Sequence, residues 1–257
     1  MAPIYRGKSM QKTILIALLL GSLWLFTDAE SCASELAASE LSSEQTSALE
    51  AAKTLDKLIS EYQHTEALEF GNEAYTRAKN ALAEDDVMIV NLGLSLAYLL
   101  TETGAYDQAY DIASDSLSRL EKRHGTDHVY LIPSLITLGV TQSSKNRLAT
   151  FRRALALQKK HQPEDRLAYA QLAQIAGRYL SYQKSNRKEG VRLLRESLDL
   201  YKAEHGEKSV NLIRPMMLLG EAQLEKNSFR ASKRLFDRAI NIAKKSGDRY
   251  LYADQLY

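Results

Sequence analysis

Apolar and small positions along this chain recur three, four and seven residues apart, the spacing that gathers side chains on one face of an α-helix. Tyr106, Ala109, Ala113 and Ser116 share such a face, as do Phe229, Ser232, Phe236 and Ala239. Before the first set, Thr103-Gly104 marks a turn that ends one helix and begins another. Before the second, Lys226-Asn227 does the same. The unit is therefore a pair of helices joined by a polar or glycine-containing turn.

The pair recurs. A small residue sits near the centre of each second helix, at Ala74, Ser116, Ala154, Ser197 and Ala239, giving steps of 42, 38, 43 and 42 residues. Self-similarity at such a period is the mark of a repeat architecture. Each first helix from the second pair onward also carries a small residue where a neighbour must come close: Leu96-Ala97, Leu138-Gly139, Ala176-Gly177 and Leu219-Gly220. Small residues let two helix backbones approach, and large ones fill the space between layers. Glycines follow basic helix ends in Arg123-His124-Gly125, Glu204-His205-Gly206 and Lys245-Ser246-Gly247, where a left-handed C-cap is expected.

Leu219-Gly220, Phe229, Ser232, Phe236 and Ala239, with Leu96-Ala97, Gly104, Tyr106, Ala109 and Ser116, resemble the tetratricopeptide repeat (TPR) family. The likeness is to its roughly 42-residue kinesin-light-chain subtype, whose connecting loop is echoed by His124-Gly125-Thr126-Asp127-His128. It extends over residues 48–246 and implies an all-α solenoid of about five helix-turn-helix repeats wound as a right-handed superhelix. Two copies depart from the pattern. The third lacks four residues around Ser143–Lys145, which tightens its internal turn; the fourth lacks an aromatic near Arg187 and has Gly190 where alanine is usual, so less regular packing is expected there.

Outside the repeats, Arg6, Lys8 and Lys12 precede an apolar run from Ile14 to Phe26, and small residues follow at Ala29 and Ser31-Cys32-Ala33. A basic start, a run of thirteen apolar residues and a small-x-small ending read as a secretory signal peptide over residues 1–33. Thirteen helical residues rise about 20 Å, short of a bilayer's hydrocarbon core of roughly 30 Å. Cleavage after Ala29 or Ala33 leaves an exported chain, periplasmic or secreted; lipid anchoring through Cys32 is the minor alternative. Residues 34–47, rich in Ser, Ala and Glu, read as a flexible leader or a frayed helix. Residues 247–257, beginning Gly247-Asp248-Arg249-Tyr250, read as the start of a further helix.

The composition adds what such a chain does not do. A single cysteine, Cys32, forms no internal disulfide. No glycine-rich phosphate loop, H-E-x-x-H or paired-cysteine motif, or Gly-x-Ser-x-Gly elbow occurs, so neither enzyme activity nor a cofactor or metal is expected. His124, His161 and His205 close successive second helices, a repeat apart, where they complement helix C-termini. Asp85-Asp86 and Glu164-Asp165 sit between repeats and are expected to start helices.

Charge is unevenly spread. Lys and Arg against Asp and Glu count 4 to 12 over residues 34–86, 3 to 6 over 87–144, and 24 to 12 over 145–257. Such polarity favours an acidic partner for the C-terminal half, or head-to-tail self-association. Contact with an anionic membrane surface stays open, nucleic acid is not expected for an exported chain, and oligomeric state is left open.

The resemblance implies a non-catalytic scaffold that binds protein partners in a concave groove lined by first helices. Carried over copy by copy, the groove positions are Asn91 and Tyr98 in the second repeat, Gln174, Arg178 and Tyr182 in the fourth, and Arg214 and Glu221 in the fifth. Arg178 and Arg214 are expected to grip a carboxylate together. Tyrosines there offer contact area and a hydrogen bond at low entropy cost. The alternatives are the interaction domain of a larger envelope machine, and a small-molecule or polysaccharide binder using Glu221 and Glu225.

Overall fold

The computed structural model describes residues 41–142, 144–225 and 227–246. The signal-peptide reading and the further helix expected over 247–257 lie outside them. Ten α-helices and two short 3-10 turns occupy the described residues, with no strand among them. The chain divides into two compact units, 1–143 and 144–257, at the place where the third repeat is short.

The first unit holds α1 (Ser43–Ser60), α2 (His64–Ala81), α3 (Val87–Glu102), α4 (Tyr106–His124) and, after a 3-10 turn at Val129–Leu131, α5 (Ile132–Thr141). Helix α1 begins earlier than the sequence suggested. Ser42 accepts from the Gln45 backbone N–H at 3.2 Å while the Gln45 side chain accepts from Ser42 N–H at 3.1 Å, a reciprocal capping box. Residues 43–47, expected as flexible leader or frayed helix, are therefore the first turn of a capped helix. Each first helix packs on its own second helix and on the next first helix, α1 against α2 and α3, then α3 against α4 and α5. Leu55, Ile59, Leu92, Leu96 and Leu99 are fully buried in this seam. Each contributes about 1.5–3 kcal/mol by leaving water.

The second unit repeats the scheme with α6 (Ser144–His161), α7 (Arg166–Ser181), α8 (Arg187–His205), a 3-10 turn at Val210–Leu212, α9 (Ile213–Leu224) and α10 (Phe229–Ser246). Helix α7 packs on α6, α8 and α9, and α9 on α10. Leu194, Leu212, Ile213 and Met216 centre its core.

The five small residues that set the period, Ala74, Ser116, Ala154, Ser197 and Ala239, are all at most 3% exposed. Their burial is what a close helix–helix approach requires. Gly190 takes this further than expected: a Cβ there would lie 2.7 Å from the Gly177 carbonyl oxygen, and one at Gly177 would lie 2.8 Å from Leu194. Far from loosening the fourth repeat, the glycine pair lets α7 and α8 come closer than alanine allows.

The turn inside each pair also repeats. Tyr62, Gly104 and Asn227 each stand twelve residues before a period-setting residue, and all three adopt positive φ, at 60°, 85° and 57°. The fourth repeat places Ser185 there and closes differently, with Arg187 Nε donating to the Ser181 carbonyl at 3.0 Å. Between repeats, Gly125 and Gly206 are C-caps at positive φ, 78° and 79°, with extended ψ, a backbone glycine adopts readily, following α4 and α8, which end at His124 and His205. Asp86 accepts from Met88 N–H and Asp165 from Ala168 N–H, capping α3 and α7 as the sequence suggested.

Candidate functional site

Three of the groove positions come together in the second unit. Arg178 lies in the last turn of α7, Tyr182 caps that helix, and Glu221 is on α9. The spacing of 43 between the first helices of these two repeats explains the meeting, because Glu221 stands in register with Arg178 just as Gly220 does with Gly177. The Tyr182 hydroxyl donates to Glu221 Oε2 at 3.2 Å, and the Arg178 charge acts on the same phenol. Burial raises the Tyr182 pKa, and the Glu221 carboxylate adds to that against the opposing pull of Arg178. The phenol is therefore a donor at neutral pH.

One helical turn further along, Arg187 and Glu225 form a second cross-repeat pair at 3.4 Å, with Glu225 in register with Tyr182. The result is a row of alternating charge, Arg178, Glu221, Arg187 and Glu225, across the C-terminal ends of α7 and α9 and the start of α8. Tyr182 is 49% exposed and Leu224 41%, so the row is bordered by accessible apolar surface. Arg187 was not among the groove positions read from the sequence. The lone signal for it is that it opens α8 directly after the turn that carries Tyr182.

Arg214 is elsewhere. In register it matches Gln171, seven residues before Arg178, which is about 10 Å along a helix. Burial raises the pKa of Tyr201, and Gln171 and the Arg214 charge act on that phenol in the opposite sense. Register thus sets the two arginines about two helical turns apart along neighbouring first helices. Gln174 is buried at 7% and offers a partner little surface. In the first unit, Asn91 and Tyr98 are half-buried on α3, and Tyr98 packs against the apolar core.

Some ionisable side chains elsewhere hold neighbouring helices together. Tyr75 on α2 donates to Asp115 on α4 at 3.0 Å, and Arg119 and Lys79 reach the same carboxylate at 3.0 and 3.5 Å. Burial pushes the Asp115 pKa up, but hydrogen bonds from Arg119 and Tyr75 and the charges of Arg119 and Lys79 outweigh it and leave it low. Rings of His124, His128 and Tyr130 cluster with centroids 4.6–5.1 Å apart at the end of α4 and in the loop that follows, the two imidazoles stacked. Among the described residues no group of three or more His, Cys, Asp or Glu is placed to hold a metal. No described helix is long and apolar enough to cross a membrane.

This arrangement of capped helix pairs is shared with solved TPR-like structures. A Podosopora anserina protein described as kinesin light chain, with nearly identical TPR-like repeats, superposes with a TM-score of 0.63 at 13% identity, covering 81% of this chain and 100% of its own. BtubC (BKLC) from P. vanneervenii superposes with a TM-score of 0.63 at 15% identity, covering 90% of this chain and 92% of its own. No family model matches the sequence. No curated protein matches it either. The fold is all-α and TPR-like, a class of repeat solenoids.

Proposed function

We propose that this chain is a non-catalytic scaffold that binds a segment of a protein partner along the first-helix seam of its second unit. The carrying observation is the cross-repeat cluster of Arg178, Tyr182 and Glu221 beside the Arg187–Glu225 pair. These groups alternate donors and acceptors along two neighbouring helix ends, with the exposed Tyr182 ring between them. Such a row suits an extended peptide, whose backbone alternates carbonyls and N–H groups, and Arg178 supplies a planar donor for a partner carboxylate. Tyrosine at a contact surface adds area with few rotatable bonds. The basic start and apolar run at residues 6–26 support action outside the cytoplasm, in the cell envelope.

Capture tests the seam. The full chain is immobilised and exposed to an envelope extract, and bound proteins are identified by mass spectrometry beside the variants Arg178→Glu and Tyr182→Ala. Loss of the same bound species from both variants, with helical content unchanged by circular dichroism, supports the reading. Retention of every captured species by both variants overturns it. Arg214→Glu, remote from the cluster, is expected to keep capture near the unaltered level.

A further inference from the structure

The second helices carry a charge reversal that the seam does not use. Repeat register aligns Asp107 on α4 with Lys188 on α8 and Arg230 on α10. It likewise aligns Glu69 on α2 and Asp111 on α4 with Arg192 on α8 and Arg234 on α10. All seven side chains are exposed. One solvent-facing position of the repeat is therefore acidic throughout the first unit's aligned copies and basic in the second unit's last two. Arg192 is held by Glu189 and Glu196 on its own helix. Lys188, Arg230 and Arg234 have no such role in the geometry described. Arg230, Lys233 and Arg234 also crowd the start of α10, whose first turn holds no acid. A helix N-terminus carries partial positive charge, so cations there work against the helix. Lys233 is answered by Asp237 on the same helix at 2.7 Å, and the opening turn offers Arg230 and Arg234 no acid.

We propose that the chain self-associates head to tail, the acidic outer face of one copy's first unit, at Glu69, Asp107 and Asp111, docking on the basic outer face of another copy's second unit, at Lys188, Arg230 and Arg234. Charge complementarity selects this occupant: residues 34–144 hold 7 cations against 18 anions, and residues 145–257 hold 24 against 12. The same repeat geometry spaces the two sets, since both lie on second helices one repeat step apart. Because every contributing charge is exposed, the attraction is screened by salt and governs encounter more than tight burial. This surface is separate from the seam between α7 and α9 and stands or falls independently of it.

Sedimentation velocity of the full chain tests the proposal. The weight-average mass is expected to rise as salt falls from about 300 mM to about 30 mM, where the screening length roughly triples. The triple variant Lys188→Glu, Arg230→Glu, Arg234→Glu is expected to weaken association about tenfold or more, as is Glu69→Lys, Asp107→Lys, Asp111→Lys. Mixing the two reversed variants is expected to restore a heavier species, since their outer faces again carry opposite charge. The neutral triple variant to Gln separates charge from folding defects and is expected to fall between wild type and reversal. A chain that stays monomeric at low salt, or associates equally well in both reversed variants, overturns the proposal. So does a monomeric chain that floats with phosphatidylglycerol vesicles through Lys188, Arg230 and Arg234, which gives the basic face to lipid.

Discussion

Gly104 and Gly190 are both glycines in helix pairs, yet alanine is expected to harm them for opposite reasons. At Gly104, φ is 85° and nothing lies within 4 Å of an added Cβ, so only backbone conformation is at stake. Gly104→Ala is expected to cost about 1 kcal/mol in urea unfolding, with little structural change. At Gly190 the added Cβ would meet the backbone of Ser181 and Gly177, and α7 and α8 must separate. Gly190→Ala is expected to cost about 1–3 kcal/mol, and to reduce amide protection in both helices. Gly104 was legible as a stop because it sits in a polar gap between two periodic runs. Gly190 was not: in one dimension it is a departure from alanine, and its partner Gly177 lies on another helix.

At the scale of elements, the period carried the fold and the seams carried what the period does not encode. Five buried small residues at steps of 38–43 specify where helices touch, and helix ends at His124, His161 and His205 follow from the same count. Which polar side chains meet across a seam depends also on turn register. Arg178, Tyr182 and Glu221 were read as groove positions and do meet, whereas Arg214 was paired with Arg178 although register sets it two turns away. The Tyr75–Asp115 bond, forty residues apart, shows what such a seam contributes to stability. Tyr75→Phe is expected to cost about 1 kcal/mol, read as a lowered unfolding midpoint. Asp115 has its folded pKa depressed, so its contribution is full above the unfolded value of about 3.9 and fades as pH falls through the folded one. Wild-type stability is thus expected to drop more steeply than that of Asp115→Asn between about pH 5 and pH 2, measured by denaturant midpoint at each pH.

Contacts run from each helix to its near neighbours, and the chain resolves into two compact units divided in sequence at the shortened third repeat. Stability in such chains is a sum of local terms. Leu92→Ala, in the first unit's core, is expected to cost about 2–5 kcal/mol and to lower amide protection in α1–α4. Protection of α8 and α9 is expected to hold. Equal loss in both units would show a single cooperative core instead. The missing four residues near Ser143 were legible as a shortened turn, but that they mark a division between units was not, because a deletion reads the same whether packing continues past it or stops.

Hydrogen exchange of the chain with and without its captured partner segment tests the scaffold most directly. Binding at the first-helix seam predicts new protection in the last turns of α7 and α9 and in the turn carrying Tyr182, with the outer faces of α8 and α10 unchanged. Protection confined to those outer faces, or to the first unit, would contradict it.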